Sequence, residues 1–191
     1  MTALEKRLYT EEEYLALEAS SDVKHEYFQG EIFAMAGGTE NHDLISGNTL
    51  FQLRAQLRGR GCRVHTSDMR IKAVETGLGA FPEVSVVCGE SQFTSSTRDT
   101  LTNPVVLVEV PSKSTQGYDK NDKFRHYRLI PSLRDDLMLS QYRVYAEHYV
   151  RQSDDTWLLR FYSSAEDQVM LEAVGGSLRL GDLYEDVTLE G

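Results

Sequence analysis

The first third of the chain alternates apolar and polar positions in ways that predict a helix, a hairpin and a second helix. Thr10, with a glutamate three residues later and an apolar run behind it, forms a capping box that starts a short helix. Residues 25–35 turn at Gly30, as expected for a β-hairpin. From Asn41 the apolar residues recur at helical spacing until Gly59, which indicates a helix of about four turns.

Two later segments, residues 83–88 and 105–110, are almost continuously apolar, which is typical of strands in a central sheet buried on both faces. A helix is predicted from Asp119 to Ile130, where Pro131 ends it. The other predicted strands are 63–67, 70–75, 137–139, 143–151, 157–162 and 168–174, with a turn at 76–79. This order predicts an α/β (α+β) fold with a mixed central sheet flanked by helices.

Composition narrows the class of protein. The chain has 191 residues and a formal net charge of −10, and we expect one domain over 1–191 with a strand-rich C-terminal extension. Its longest apolar stretch is too short to span a membrane, and its N-terminus lacks a secretory apolar region. Two cysteines, Cys62 and Cys88, are too few for a disulfide framework or a four-cysteine zinc site. We therefore expect buried thiols and a cytoplasmic, thiol-reducing location.

The acidic net charge is unevenly distributed. Residues 54–72 carry a net charge of +5 and residues 113–134 a net charge of +4, whereas the two ends of the chain are acidic. Such basic segments are either solvated faces or a local positive surface for a polyanion. If the second interpretation holds, the candidate nucleic-acid-binding residues are Arg54, Arg58, Lys113, Lys120 and Arg125.

Glu83 and Glu109 stand in the two apolar strands, where an unpaired carboxylate is costly to bury. If the strands are neighbours, the two carboxylates lie about 5 Å apart on one face, a spacing that suits a hard divalent cation. The alternative is that each carboxylate faces solvent or pairs with an arginine of the basic segments. Lys123 lies on one helical face with Lys120 and Tyr127, and near two metal-binding carboxylates it can orient a water or neutralise developing charge.

Several segments occur in a characteristic order: 26–32, 35–38, His42, 81–87, 104–110, and then Ser112, Ser114, Thr115, Asp119, Lys123 and Tyr127. In this order the chain, over about residues 8–150, resembles a large family of endonucleases of restriction-endonuclease-like fold. That family belongs to the PD-(D/E)XK superfamily and is especially abundant in cyanobacteria.

The resemblance implies a metal-dependent phosphodiesterase that acts on DNA. In such a site Glu83 and Glu109 ligate Mg²⁺ or Mn²⁺, and Lys123, carried on the helix after the strands, completes the catalytic core. Glu26 and His42 approach the same cleft from the hairpin and the long helix. For cutting of duplex DNA, a homodimer is the expected assembly.

The chain departs from the family pattern at three places. The family has Asp where this chain has Glu83, and the extra methylene displaces the carboxylate by about 1.3 Å. Pro111 ends the second strand early, because proline cannot donate to a sheet. Asp135 and Asp136 replace the usual aromatic start of a strand. A second hypothesis therefore stays open: a catalytically impaired module that keeps the fold and binds nucleic acid or a partner protein.

Overall fold

The computed structural model describes residues 7–35, 37–112 and 122–189. Its strands are β1 (His25–Phe28), β2 (Glu31–Ala34), β3 (Cys62–Thr66), β4 (Arg70–Ala73), β5 (Leu78–Ala80), β6 (Val84–Cys88), β7 (Thr100–Leu101), β8 (Val106–Glu109), β9 (Asp135–Leu139), β10 (Ala146–Arg151), β11 (Trp157–Tyr162), β12 (Gln168–Leu171) and β13 (Gly176–Arg179). Its helices are α1 (Glu11–Ser20), α2 (Glu40–Leu57), α3 (Phe124–Tyr127) and α4 (Leu180–Leu183), with a 3₁₀ helix at Glu172–Val174. In the described part of the chain, no helix combines the length and apolarity needed to cross a membrane.

Three sheets are formed. The central one has six strands in the order β11-β10-β9-β8-β6-β3, the second has five in the order β2-β1-β5-β4-β7, and β12 pairs with β13. β8 and β9 run parallel, as do β4 and β7, while the other pairs are antiparallel. The predicted mixed central sheet flanked by helices is therefore confirmed.

The central sheet is buried on both faces because its strands present apolar side chains alternately to two cores. Val84 and Val86 point into a core shared with α2 and α4. Val87 and Leu107 point into a second core, which contains residues of the five-stranded sheet and Tyr127 of α3. The near-continuous apolar runs in β6 and β8 follow from this two-sided burial.

Local signals set the first elements as predicted. Thr10 Oγ1 accepts a hydrogen bond from the Glu13 amide at 3.2 Å, and the Thr10 amide donates to Glu13 Oε2 at 2.9 Å, which completes the capping box of α1. Gln29 and Gly30 both have positive φ, 48° and 86°, and close the β1–β2 hairpin. Strand β8 ends before Pro111, also as predicted.

Other boundaries differ from the sequence prediction. The described part of the helix predicted to end at Ile130 is one α-helical turn, α3, and the predicted cap Asp119 lies outside the described residues. The predicted turn at 76–79 ends earlier, because Leu78 and Gly79 already pair in β5. Strand β9 starts at Asp135, before the predicted residue 137, so both aspartates lie inside a buried strand.

The expectation of buried thiols was wrong. Cys62 and Cys88 face each other across the β3–β6 pair, with Cα atoms 4.0 Å apart, and form a disulfide. Two cysteines that are distant in sequence become direct cross-strand neighbours, which the count of cysteines alone does not reveal. The same finding removes the cysteine argument for a thiol-reducing location.

Candidate active site

The two candidate metal-binding carboxylates lie at the same end of paired strands. In the antiparallel β6–β8 pair Val84 faces Val108 and Ser85 faces Leu107, so the continuation of this register sets Glu83 beside Glu109. Glu109 lies two residues after Leu107 and shares its face, toward α3. Glu109 is buried, and the Glu83 side chain is 12% exposed. The prediction that the two strands are neighbours is confirmed.

Glu83 is fixed by two donors. Its Oε1 lies 2.9 Å from His42 Nε2, and its Oε2 accepts a hydrogen bond from the Val110 amide at 3.0 Å. Burial alone would raise the pKa of Glu83, but the His42 hydrogen bond, the charges of His42 and Lys123 and the Val110 amide together lower it below its ordinary value. Glu83 is therefore held as a carboxylate.

His42 reaches Glu83 from the first turn of α2. Its amide donates to Oγ1 of Thr39, the N-cap, at 3.2 Å, which sets the ring toward the end of the central sheet. The hydrogen bond to Glu83 raises the pKa of His42, burial opposes the rise, and the charges of Glu83 and Asp43 add to it. The pair thus favours a charged imidazole beside a carboxylate.

Glu109 and Glu26 share Lys123. Lys123 Nζ lies 2.7 Å from Glu26 Oε1 of β1 and 3.4 Å from Glu109 Oε1. Tyr127, one helical turn after Lys123, donates from its hydroxyl to Glu109 Oε1 at 2.8 Å. All of these side chains are buried. The structure thus brings the five predicted catalytic residues, Glu26, His42, Glu83, Glu109 and Lys123, into one cluster where the five-stranded sheet, α2 and α3 meet the end of the central sheet.

Sequence reasoning assigned no role to two residues that shape this cluster. Tyr127 is the first: burial and the charges of Glu109 and Glu26 raise its pKa well above the ordinary value, so the hydroxyl stays protonated and donates. Gly38 is the second, because a Cβ at this position would overlap the His42 ring. Tyr127 and Gly38 both lie in the sequence segments whose order resembles the family, and this position was the only signal for them in the sequence.

The donor chemistry of the cluster fits a hard divalent cation. Glu26, Glu83 and Glu109 bring three carboxyl groups together with the side chains of Lys123 and His42, and carboxylate oxygens are the ligands that hard divalent cations prefer. Within the described residues, no group of three or more His, Cys, Asp and Glu side chains is arranged to hold a metal ion. Mg²⁺ is commonly held by one or two carboxylates together with water and substrate phosphates, and Glu83 and Glu109 supply that number.

Three of the predicted nucleic-acid-binding residues lie in the part of the chain that the structure describes. Arg54, on the far half of α2, and Arg58, just after its last residue, are exposed about 18 and 24 Å along the helix axis from His42. Arg125 is exposed on α3, two residues beyond Lys123, and pairs with Asp122 at 3.5 Å. Lys113 and Lys120 lie outside the described residues.

Comparisons with known proteins agree with this architecture. A family model described as "Uma2: Putative restriction endonuclease" matches residues 11–181. The uncharacterized protein slr1290 of Synechocystis sp. is 38% identical over 173 residues, which cover 91% of this chain and 90% of the relative. A second uncharacterized Synechocystis protein, sll1609, is 36% identical over 159 residues, which cover 83% of this chain and 90% of the relative.

A solved structure shares the fold. The crystal structure described as a putative nuclease belonging to DUF820, from Anabaena variabilis, matches with a TM-score of 0.76 at 14% sequence identity, over 93% of this chain and 98% of that one. The restriction-endonuclease-like fold predicted from the sequence is thereby confirmed.

Proposed function

Because the chain belongs to the Uma2 family of putative restriction endonucleases, we propose that it is a metal-dependent endonuclease that hydrolyses phosphodiester bonds of DNA. The observation that carries the proposal is the buried cluster in which Lys123 lies between Glu26 and Glu109, with Glu83 beside them. Three carboxylates gathered in one largely buried cluster are costly to maintain, which supports a role in binding a cation.

Glu83 and Glu109 would hold Mg²⁺ or Mn²⁺. When bound, such an ion polarises a phosphate oxygen and lowers the pKa of a coordinated water. His42 and the Val110 amide keep the Glu83 carboxylate in one orientation, and the Tyr127 hydroxyl does the same for Glu109. These contacts reduce the reorganisation that the site needs when substrate arrives.

Lys123 supplies the positive charge next to the reacting phosphate. Its ammonium lies 3.4 Å from Glu109 Oε1, within reach of a phosphate oxygen or an attacking water at that carboxylate. Glu26 fixes the ammonium from the other side at 2.7 Å. Arg125 on the same helix, together with Arg54 and Arg58 of α2, would contact the DNA backbone farther from the cut.

Plasmid nicking tests the proposal. Supercoiled plasmid should be nicked with Mg²⁺ or Mn²⁺ and stay intact in chelator. Glu109→Gln, which keeps the size of the side chain and removes its charge, should lower the rate by at least about 100-fold. Glu172→Gln, an exposed carboxylate in the 3₁₀ helix, is the matched control and should cut like the wild type. Nicking that survives in Glu109→Gln, or in chelator, would refute the proposal.

One observation favours the alternative of a non-catalytic module that binds nucleic acid or a partner protein. The carboxylates of Glu26, Glu83 and Glu109 are each engaged by protein donors, so a cation must compete with Lys123 and His42. Calorimetric titration with Mn²⁺ separates the two functions. An endonuclease should bind Mn²⁺ through Glu109 and lose that binding in Glu109→Gln, whereas the module should show no such binding in either protein.

A further inference from the structure

We infer that the central sheet carries, beyond Glu109, a subsite for one unstacked nucleobase of the substrate strand. This inference rests on the proposed function and narrows its substrate class to nucleic acid with an unpaired base near the cut. It starts from the strand register. Glu109 of β8 faces Met138 of β9, Met138 faces Glu147 of β10, and Glu147 faces Phe161 of β11.

Directly paired residues share a face of the sheet, so these four side chains form one row that leads away from the site. With neighbouring strands about 4.8 Å apart, Phe161 lies about 14 Å from Glu109 along this row. Exposure changes sharply at its end: Glu109, Met138 and Glu147 are each at most 7% exposed, whereas Phe161 is 59% exposed. The row thus connects the buried carboxylates to an exposed phenyl ring.

Phe161 belongs to an aromatic surface. The Tyr145 ring lies nearly parallel to it, at an interplanar angle of 23° with ring centroids 6.3 Å apart. The Arg143 guanidinium lies 4.2 Å above the Tyr145 ring. Tyr142, in the β9–β10 connection, is 40% exposed. Flat rings with a guanidinium among them present both stacking surface and positive charge.

A small pocket lies beside the middle of this row. It is lined by Pro111, two residues after Glu109, and by Met138, Tyr142, Tyr145 and Glu147. Because Glu109 and Phe161 share one face of the sheet, a strand whose phosphate lies at Glu109 and Lys123 would run along this face to reach the aromatic surface.

The occupant that fits this surface is a nucleobase. Bases stack on aromatic side chains regardless of their identity, and a neighbouring arginine adds attraction to base and phosphate. In a regular duplex both faces of each base are already stacked, so only an unpaired base has a face free for Phe161. The proposed substrates are therefore single strands and duplexes with unpaired nucleotides.

The test measures kcat/KM on a labelled single-stranded oligonucleotide in which an abasic residue replaces each base in turn near the cut. Phe161→Ala should lower kcat/KM about tenfold on the intact strand, mainly through KM. An abasic residue at one position should lower the kcat/KM of the wild type by a similar factor. On that abasic strand, Phe161→Ala should have the same kcat/KM as it has on the intact strand. Phe161→Trp should restore the wild-type value. Leu158→Ala, on the opposite face of β11 and 42% exposed, is the matched control.

Each outcome decides the inference. Suppose that the wild type cuts. If Phe161→Ala then behaves like Leu158→Ala, or if the losses from Phe161→Ala and from the abasic residue add, the subsite is refuted and the proposed endonuclease function stands. A regular duplex that is cut better than a single strand would also refute the subsite and leave the proposed endonuclease function standing. If the wild type cuts nothing, the proposed function fails, and fluorescence anisotropy with the same oligonucleotides tests the subsite alone. Binding lost through Phe161→Ala and through one abasic position then supports the subsite, while absent binding refutes it.

Discussion

Two pairs of a carboxylate with a histidine lie at the central sheet and differ in how far they are buried. His148 Nε2 lies 2.8 Å from Asp135 Oδ1, with side-chain exposures of 0% and 2%, within the core on the α2 face. The His42–Glu83 pair has a similar distance of 2.9 Å, but its side chains are 23% and 12% exposed.

The surroundings differ as well. Among the described residues the side chain of Asp135 pairs with His148 alone, whereas Glu83 neighbours Glu109, Glu26 and the shared Lys123. A closed one-to-one pair has no remaining charge to offer, and its effect is on stability and specificity of the fold. The partly open cluster brings three carboxylates together and leaves Glu83 and His42 accessible, which is why the proposed function is assigned to it and not to the closed pair.

The largest expected effect comes from breaking the closed pair. Asp135→Ala should lower the free energy of unfolding by about 3–5 kcal/mol, because His148 loses its buried partner. Urea unfolding measures this loss, and nicking per folded molecule should stay unchanged. The double variant Asp135→Leu with His148→Leu should recover most of the stability, since apolar side chains suit that core. A fall in activity without a fall in stability would show that the pair belongs to the site.

Removing the Lys123 ammonium should lower the cutting activity while the protein remains folded. Lys123→Met keeps the length of the side chain and should lower nicking by about 100- to 1000-fold, because it removes the Lys123 ammonium from beside Glu109. It also removes this counter-ion from Glu26 and Glu109, so Mn²⁺ should raise the melting temperature of this variant more than that of the wild type. Lys24→Met, which removes an ion pair with the exposed Asp68, is the control and should change neither quantity. Equal Mn²⁺ shifts in all three proteins would contradict the proposed cation site.

The His42–Glu83 pair should make the free energy of unfolding depend on pH. The pKa of His42 is raised and that of Glu83 is lowered in the folded protein, so their contribution is present near pH 6 and is lost as pH rises through the pKa of His42. In chelator, His42→Gln should therefore be less stable than the wild type by about 1 kcal/mol near pH 6, with the difference shrinking toward pH 9.

His65→Gln serves as the control, because its stability difference from the wild type should change with pH in the opposite direction. Burial, together with the charges of Arg63 and Arg54, lowers the pKa of His65, so its neutral form is favoured in the folded state. This variant should gain stability over the wild type as pH falls. Parallel pH profiles for the two variants would mean that the Glu83 contact does not hold a charged His42.

The smallest effect concerns the orientation of Glu109. Tyr127→Phe removes one hydrogen bond of 2.8 Å and keeps the ring in the core, so nicking should fall about tenfold with the protein still folded. Tyr184→Phe is a matched buried tyrosine whose hydroxyl binds backbone carbonyls away from the cluster, and it should cut at the wild-type rate. A loss as large as that of Lys123→Met would assign Tyr127 more than a positioning role.

Much of the fold was predictable because its signals are local. The capping box at Thr10, the turn at Gly30 and the apolar strands β6 and β8 are each readable within a short window of sequence. The short elements β7, β13 and α4 were missed, because two to four residues carry too little periodicity to be recognised.

The site was predictable in part for a different reason. Glu83 and Glu109 stand out because carboxylates are rare in apolar strands. Lys123 was singled out by its helical face and then by the family resemblance, whereas Glu26 and His42 were chosen through the resemblance alone. The contact between Lys123 and Glu26 depends on how the five-stranded sheet packs near α3, which no local pattern specifies. The Cys62–Cys88 disulfide and the Phe161 row depend on strand order and register in the same way.

The distance in sequence between Glu26 and Lys123 has a consequence for the folding pathway. Their ion pair joins the first hairpin to a helix that follows β8, so it closes a long loop and is expected to form late in folding. Substitutions there should accelerate unfolding and leave the refolding rate nearly unchanged. A nascent or partly denatured chain then contains each of the cluster's side chains without their arrangement, so the proposed cutting activity is expected only once folding is complete.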